Sequence, residues 1–505
     1  MSDCNLFSSV LPGDVDSRRV AIELPDGRTV SYGQLIELSG CMANLLVGRG
    51  MRPGDRLAAQ VEKSFEALVL YLATVRAGGV YLPLNTAYTP NELQYFLKDA
   101  EPTIVVCDPS CRPNFVDMAA ELGAVVETLG GDGSGSLSQA ATAETSTFGT
   151  VGRAPDDLAA VLYTSGTTGR SKGAMLTHGN LISNARTLVE SWQLSDRDVL
   201  IHMLPIYHTH GLFVASNVTL MAGARMIFRP RFDAGDALAL MPRATVLMGV
   251  PTFYVRLLKL PGLRAASERI RLFVSGSAPL PAQVHQQWRD ETGHSILERY
   301  GMTETGMNTS NPYSGERVPG TVGLPLPGVK IRVAHPENGR VLGQNEVGVV
   351  EVSGPNVFKG YWRMPEKTAS EFREDGFFVT GDLGRIDERG YLHIVGRGKD
   401  LIITGGFNVY PKEVEAEIDA IGGVVESAVI GLPHPEFGEG VTAAVVRAPG
   451  SLVDEDAILK AVSDRLAKFK QPKRVVFVEA LPRNTMGKVQ KNLLRENLVG
   501  LYGEG

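Results

Sequence analysis

Apolar positions along the chain follow two rhythms. Between residues 32 and 49 they recur at helical spacing, at Leu35, Leu38, Met42, Leu45 and Leu46. Residues 56–61 then read as a short strand, 65–76 as a helix ending at Gly78-Gly79, and 80–84 as a second strand. Helices alternating with apolar strands predict an α/β sheet over residues 20–128. The rhythm resumes with the apolar run 158–162 and continues to about 300. Strands are expected there at 199–204, 226–228, 245–250 and 271–275. Residues 129–153, rich in Gly, Ser, Ala and Thr, read as an exposed connection. After about 310 the texture changes to short β segments at 330–333, 347–352, 376–380 and 391–395, punctuated by Gly and Pro, which predicts an antiparallel β subdomain. From about Gly398 the order is strand (401–404), helix (411–420), strands (424–432 and 440–446), helix (454–467) and strand (474–478). The expected fold class is therefore α/β. A large N-terminal domain, 1–397, holds α/β sheet subdomains and a β subdomain, and a small α+β domain, 398–505, follows.

Composition narrows the function. A hydrophobic share of 43% and a charged share of 21% suit a globular protein of at least two domains. A net charge of −6 offers no basic field, so nucleic acid is not expected as a partner. Four cysteines without a CxxC pair predict reduced thiols and a cytoplasmic protein. No apolar run reaches the ~18 residues of a membrane span, and residues 1–20 contain no signal-peptide core.

The candidate chemistry begins where the run 158–162 ends. Tyr163-Thr164-Ser165-Gly166-Thr167-Thr168-Gly169-Arg170-Ser171-Lys172-Gly173 combines glycines, hydroxyls and a lysine. Glycine lets backbone approach a ligand, hydroxyl and N–H groups donate to anions, and lysine adds charge. This is the composition of a phosphate-holding loop. It is not a Walker A loop, because Ser171 stands where that pattern needs its second glycine. Polar strand ends near 164, 276 and 300 are placed to share one cleft, as ligands do beyond the carboxyl ends of strands in open α/β sheets.

This loop, Gly276-Ser277-Ala278-Pro279, Tyr300-Gly301-Met302-Thr303-Glu304, Thr380-Gly381-Asp382, Gly396-Arg397-Gly398-Lys399-Asp400, Gly405-Gly406-Phe407 and Pro482-Arg483-Asn484-Thr485-Met486-Gly487-Lys488 occur in that order. Together they resemble the motifs of the acyl-adenylate-forming ligases, over essentially the whole chain. The resemblance implies that a carboxylate and ATP give acyl-AMP and pyrophosphate, and that CoA then takes the acyl group. It implies Mg²⁺ as cofactor, with Glu304 and Thr164 as metal ligands. Thr164, Ser165, Gly166, Thr167, Thr168, Gly169 and Lys172 would cradle phosphates. Ser277, Ala278, Pro279 and Tyr300 would enclose the adenine, and Gly301 and Thr303 would also bind ATP. Asp382 and Arg397 would hold the ribose. Lys488 would be the catalytic lysine at the α-phosphate, and a target for a lysine acetyltransferase, since acetylation removes its charge. Lys399 would be the hinge of a rotating C-terminal domain. Gly405, Gly406 and Phe407 would line the CoA tunnel.

The acyl pocket is expected from residues 206–211, the helix after Pro251 and the residues beside Tyr300, with His210 as a gating or catalytic residue. Arg299 is the informative departure, because relatives commonly have glycine there. A guanidinium would shorten the pocket and offer a fork to a second carboxylate, which predicts a short dicarboxylate, malonate or methylmalonate. Arg256 is expected as a second cation, and Thr209 and Met307 as residues that size the Cα substituent. Two alternatives stay open: an ion pair between Arg299 and Glu298, and a CoA ligase for medium-chain or aromatic monocarboxylic acids.

Overall fold

The computed structural model describes residues 4–164, 171–404, 407–435, 437–463, 465–466, 468–484 and 487–503. Among these, two sheets organise the N-terminal part. The first orders its nine strands as Leu324–Pro325, Gly306–Ser310, Leu297–Met302, Leu272–Ser275, Val246–Gly249, Val199–His202, Arg225–Phe228, Val20–Glu23 and Thr29–Ser31. The second orders seven as Gly360–Tyr361, Lys172–Thr177, Leu158–Thr164, Val80–Pro83, Arg56–Gln60, Ile104–Cys107 and Val125–Thr128. Their central strands pair in parallel and are buried residue after residue, as at Val246–Gly249 and Ile104–Cys107. That is the continuous apolar pattern of strands covered on both faces. Trp288, Tyr254 and Phe273 pack edge to face beside the first sheet, with Trp288 centred 4.9 Å from each of the other two.

The β subdomain is an antiparallel sheet of Lys330–Ala334, Gly348–Ser353, Phe378–Ile386 and Leu392–Arg397. Its buried Glu351 is held by Arg332 and Arg373, each at 2.7 Å. The C-terminal part builds a separate sheet. Val424–His434 pairs antiparallel with Gly438–Arg447, which is flanked by Ile402–Thr404 and, in parallel, by Arg474–Phe477. The apolar clusters that contain Ile402, Val429 and Val441 or Ile430 and Leu494 draw only on residues from 402 onward.

Several elements escaped the sequence pattern. Within 129–153 a short helix, Ser136–Ala141, buries Leu137, so that stretch is not a bare exposed connection. Pro90–Ala100 is a helix started by a reciprocal capping box between Thr89 and Glu92. The terminal helix Lys491–Leu498 anchors the last sheet through Lys491. No helix among the described residues is long and apolar enough to cross a membrane.

That anchor centres on Glu415, on the helix Pro411–Asp419. It accepts from the Val429 N–H at 2.9 Å and pairs with Lys491 at 2.5 Å and Lys412 at 3.3 Å. Burial works against its charge, yet Lys491 and Lys412 hold the carboxyl down at about 2. A lowered carboxyl stabilises the fold above its unfolded pKa of about 4.3, and the gain vanishes as pH falls through the folded value. Glu415→Gln is therefore expected to destabilise the C-terminal part by about 3 kcal/mol at pH 7. Urea unfolding at several pH values should show the gap between variant and wild type closing as pH falls from about 4 toward 2.

Candidate active site

One ribbon carries much of the site. Leu297–Met302 pairs antiparallel with Gly306–Ser310, setting Arg299 opposite Ser310 and Tyr300 opposite Thr309. Successive residues of a strand point to opposite faces. Tyr300 turns toward the β subdomain, where its hydroxyl donates to Asp382 Oδ2 at 2.6 Å. Arg397 Nε holds the other Asp382 oxygen at 2.8 Å. Each carboxylate oxygen keeps a lone pair, so Asp382 can still accept from a diol. The Asp382 charge, set against burial, raises the Arg397 guanidinium, while burial and then Asp382 push the Tyr300 hydroxyl well up.

In the ribbon's turn, Glu304 is buried and its Oε1 accepts from Thr164 Oγ1 at 3.1 Å and Tyr361 at 3.2 Å. Burial raises its carboxyl. Lys172, expected at the phosphates, here meets a carboxylate. Its ammonium lies 3.1 Å from Glu371 and 4.0 Å above the Tyr361 ring, and only 9% of its side chain is exposed. Tyr361 in turn donates to Glu371 at 2.6 Å. Tyr361 and Glu371, distant in sequence from any recognised motif, were missed. Ser165, Gly166, Thr167, Thr168 and Gly169, and likewise Gly405 and Gly406, lie outside the described residues.

On its other face the ribbon presents Arg299, which is 3% exposed. The guanidinium lies flush on Gly276, where a Cβ would fall 2.3 Å from its Cζ. Glu298 makes no ion pair with it. Instead Glu298 accepts the Leu280 N–H at 3.0 Å, and burial holds its carboxyl up at about 8, largely protonated at neutral pH. Arg299 Nε and Nη2 are buried without a hydrogen-bond partner. Beside it stands His210, whose Nδ1 meets Ser277 Oγ at 3.1 Å and whose Nε2 has no partner among the described residues; the neighbouring Thr209 hydroxyl is likewise buried and unpartnered among them. Burial and the Arg299 charge push His210 well below its usual range and His208 down to about 4. Ser277 takes a left-handed backbone, φ 69°, that a non-glycine residue adopts only under local compulsion. Ala278 is half-buried beside it and Pro279 exposed. Met307 is buried, its backbone clamped by Asn184 from both sides.

Arg256 does not join this group. It is exposed on the helix Pro251–Leu257, whose buried side is taken by Phe253, Tyr254 and Leu257. His208 is the second basic group near Arg299, and the pattern Tyr207-His208-Thr209-His210 was its only sequence signal.

The C-terminal part closes the site. A Cβ on Gly487 would lie 3.5 Å from Thr252 Oγ1 of the N-terminal part. Lys488 stays open to solvent on one side but is ringed by protein on the others. This crowding, then the Arg397 charge, lowers its ammonium to about 8. Lys399 is exposed in the short turn Gly398–Asp400, and Asp400 is tied to Arg495 at 2.8 Å.

Residues 14–362 match the AMP-binding enzyme family, and residues 413–488 its C-terminal domain. This chain belongs to that family. A malonate–CoA ligase of Arabidopsis thaliana is 34% identical over 95% of this chain and 86% of its own. A feruloyl-CoA synthase of an Amycolatopsis species is 37% identical over 93% and 94%. The crystal structure of ATP-bound MatB from Rhodopseudomonas palustris is 64% identical over 99% of this chain and 100% of that one, with a TM-score of 0.98. Its apo crystal structure superimposes less closely, at 0.87.

The contact between Gly276 and Arg299 gives a direct test of the pocket. Gly276→Ala must displace the guanidinium, at a cost of about 1–3 kcal/mol. The KM for the acid substrate is expected to rise about 10-fold or more, at ~1.4 kcal/mol per decade. Circular dichroism should show the fold retained.

Proposed function

We propose that this AMP-binding enzyme ligates malonate to coenzyme A at the expense of ATP, through malonyl-AMP. The observation that carries the reading is the buried Arg299 guanidinium with Nε and Nη2 unpaired. A desolvated cation with free donors is stable in function only beside an anion, and the guanidinium fork matches a carboxylate. The malonate–CoA ligase among the relatives supports the same acid. Thr209 and Met307 would border the Cα, where methylmalonate adds a methyl group. A feruloyl-CoA synthase among the relatives keeps an aromatic acid in view, but an aromatic acyl group needs the depth that Arg299 fills.

In the first half-reaction a malonate oxygen attacks the α-phosphorus, the new P–O bond forms, and the bond to pyrophosphate breaks. Arg299 holds the carboxylate that does not react. Lys488 supplies positive charge beside the attacking oxygen and the α-phosphate, where negative charge grows. Tyr300, Asp382 and Arg397 fix the nucleoside, and His210 and Ser277 border the reacting carboxylate. A single buried carboxylate with an adjacent hydroxyl, Glu304 and Thr164, fits Mg²⁺, which keeps much of its shell for phosphate and water. When bound there, Mg²⁺ would neutralise phosphate charge. In the second half-reaction the CoA sulfur attacks the acyl carbon, the bond to AMP oxygen breaks, and the thiol proton passes to solvent.

The boundary at 397/398 and rotation about Lys399 belong to the same proposal. They are supported by the exposed turn at Lys399 and by the separate C-terminal core. Rotation would withdraw Lys488 and bring in Phe407, which is 57% exposed and stacked on Phe469, to border the CoA arm. The solvent-open Lys488 amine is also what a lysine acetyltransferase would need.

Pyrophosphate release with malonate, methylmalonate, acetate, octanoate and coumarate tests the substrate. Preference for a monocarboxylate would overturn it. Arg299→Gly is expected to lose about 10²–10³-fold in kcat/KM for malonate, as for a broken buried pair of roughly 3–5 kcal/mol. Little loss is expected on acetate. Lys488 gives a pH signature. Its ammonium is charged below about 8 and neutral above. The kcat/KM for pyrophosphate release should fall as pH rises through that value, since this ratio reports free-enzyme groups. Thioester formation from supplied malonyl-AMP should lack that falling limb.

A further inference from the structure

A buried lysine lies outside all the motifs. Lys63, in the connection after the strand Arg56–Gln60, is 6% exposed, and no carboxylate pairs with it among the described residues. Its amine meets His202, at Nδ1 (3.0 Å) and at the backbone oxygen (2.9 Å), and sits 4.3 Å over the Phe228 ring. Burying an amine this deeply is costly and pushes its pKa well down. Even neutral, it keeps two N–H groups for these two acceptors.

The contacts dictate the His202 tautomer. Nε2 lies 3.0 Å from the Gly211 oxygen, which can only accept, and 3.0 Å from Ser216 Oγ, so Nε2 carries the proton and Nδ1 accepts from Lys63. Ser216 donates to the same oxygen at 2.9 Å. Gly211 belongs to the π-helical turn His210–Ser216, a form in which ordinary helix bonds are displaced. Its own position is tight, because a Cβ there would fall 1.9 Å from the Pro205 oxygen. His202 closes the strand Val199–His202, so its side chain spans from the start of the segment 203–211 to its end. That segment carries Thr209 and His210 into the acyl pocket.

We propose that Lys63 and His202 are positioning residues that staple this segment and so set the aim of Thr209 and His210 at the acid substrate. The staple joins the two sheets: Lys63 leaves a strand of the second and His202 ends a strand of the first. The inference rests on the ligase reading of the site but not on which acid is used.

The test uses the full-length enzyme and, as substrate, whichever of malonate, methylmalonate, acetate, octanoate and coumarate the wild type activates best. The variants are Lys63→Met, His202→Leu and His202→Gln, and the readouts are KM for the acid, KM for ATP and melting temperature. Lys63→Met and His202→Leu are expected to raise the acid KM about tenfold, the scale of one buried polar group losing its partner, with KM for ATP within about twofold. His202→Gln should recover most of the loss, since its amide can donate to Gly211 and accept from Lys63. An unchanged acid KM in Lys63→Met and His202→Leu, equal rises for acid and ATP, or no recovery with glutamine would overturn the proposal. Should Lys63→Met and His202→Leu not fold, Ser216→Ala decides. It removes the other donor to Gly211, and an acid KM raised about threefold or more supports the staple, whereas an unchanged value refutes it. The choice of acid by the wild type judges the substrate reading separately.

Discussion

Positive charge without a protein counter-charge governs this molecule. Arg299 is buried with free donors, His208 and His210 crowd it as neutral rings, and Lys488 hangs over the same space with its ammonium weakened. Elsewhere the protein pairs its buried ions with care, as Arg332 and Arg373 do for Glu351 or Lys412 and Lys491 for Glu415. The cluster at Arg299 is left without a carboxylate partner among the described residues, and on the proposed reading it stands where a substrate carboxylate and a nucleotide phosphate meet. Uncompensated burial is costly, and the large apolar core of the two sheets carries it.

The broad architecture could be read from the chain because it rests on local periodicity. The parallel strands, the antiparallel β subdomain and the C-terminal α+β order all announce themselves in apolar spacing. Two short helices were passed over. Pro90–Ala100 carries an apolar stripe of Leu93, Phe96, Leu97 and Ala100 beside its Thr89–Glu92 capping box, whereas Ser136–Ala141 buries only Leu137 and Ala141, too few to set a period. The site was legible where a motif holds its residues close together, as at Tyr300 and Glu304. It was not legible where partners meet across the fold. Lys172 finds Glu371 some two hundred residues away, and nothing near either one reports the other. Arg256 failed for a simpler reason: helical phase turned Phe253 and Leu257 inward and Arg256 outward.

The domain arrangement follows from the same electrostatics. With Gly487 against Thr252, Lys488 is held near Arg397, a like charge that helps to lower its ammonium, and near Asp382, which works the other way. If the C-terminal part rotates as proposed, an anion bound between Lys488 and Arg397 would favour the arrangement that holds them together, so substrate binding and closure would be coupled.

The ribbon that carries Arg299 and Tyr300 has a consequence for how such enzymes diversify. Adjacent residues of a strand serve opposite faces, so on the proposed reading the acyl pocket and the nucleoside pocket are written on two sides of one two-residue repeat. A single replacement at 299 would then alter which acid fits without moving the ring that holds Asp382. An insertion would exchange the two faces and ruin both. Substrate preference in this lineage can therefore drift by point substitution while ribbon length stays frozen, a division of evolutionary freedom imposed by the pleat itself.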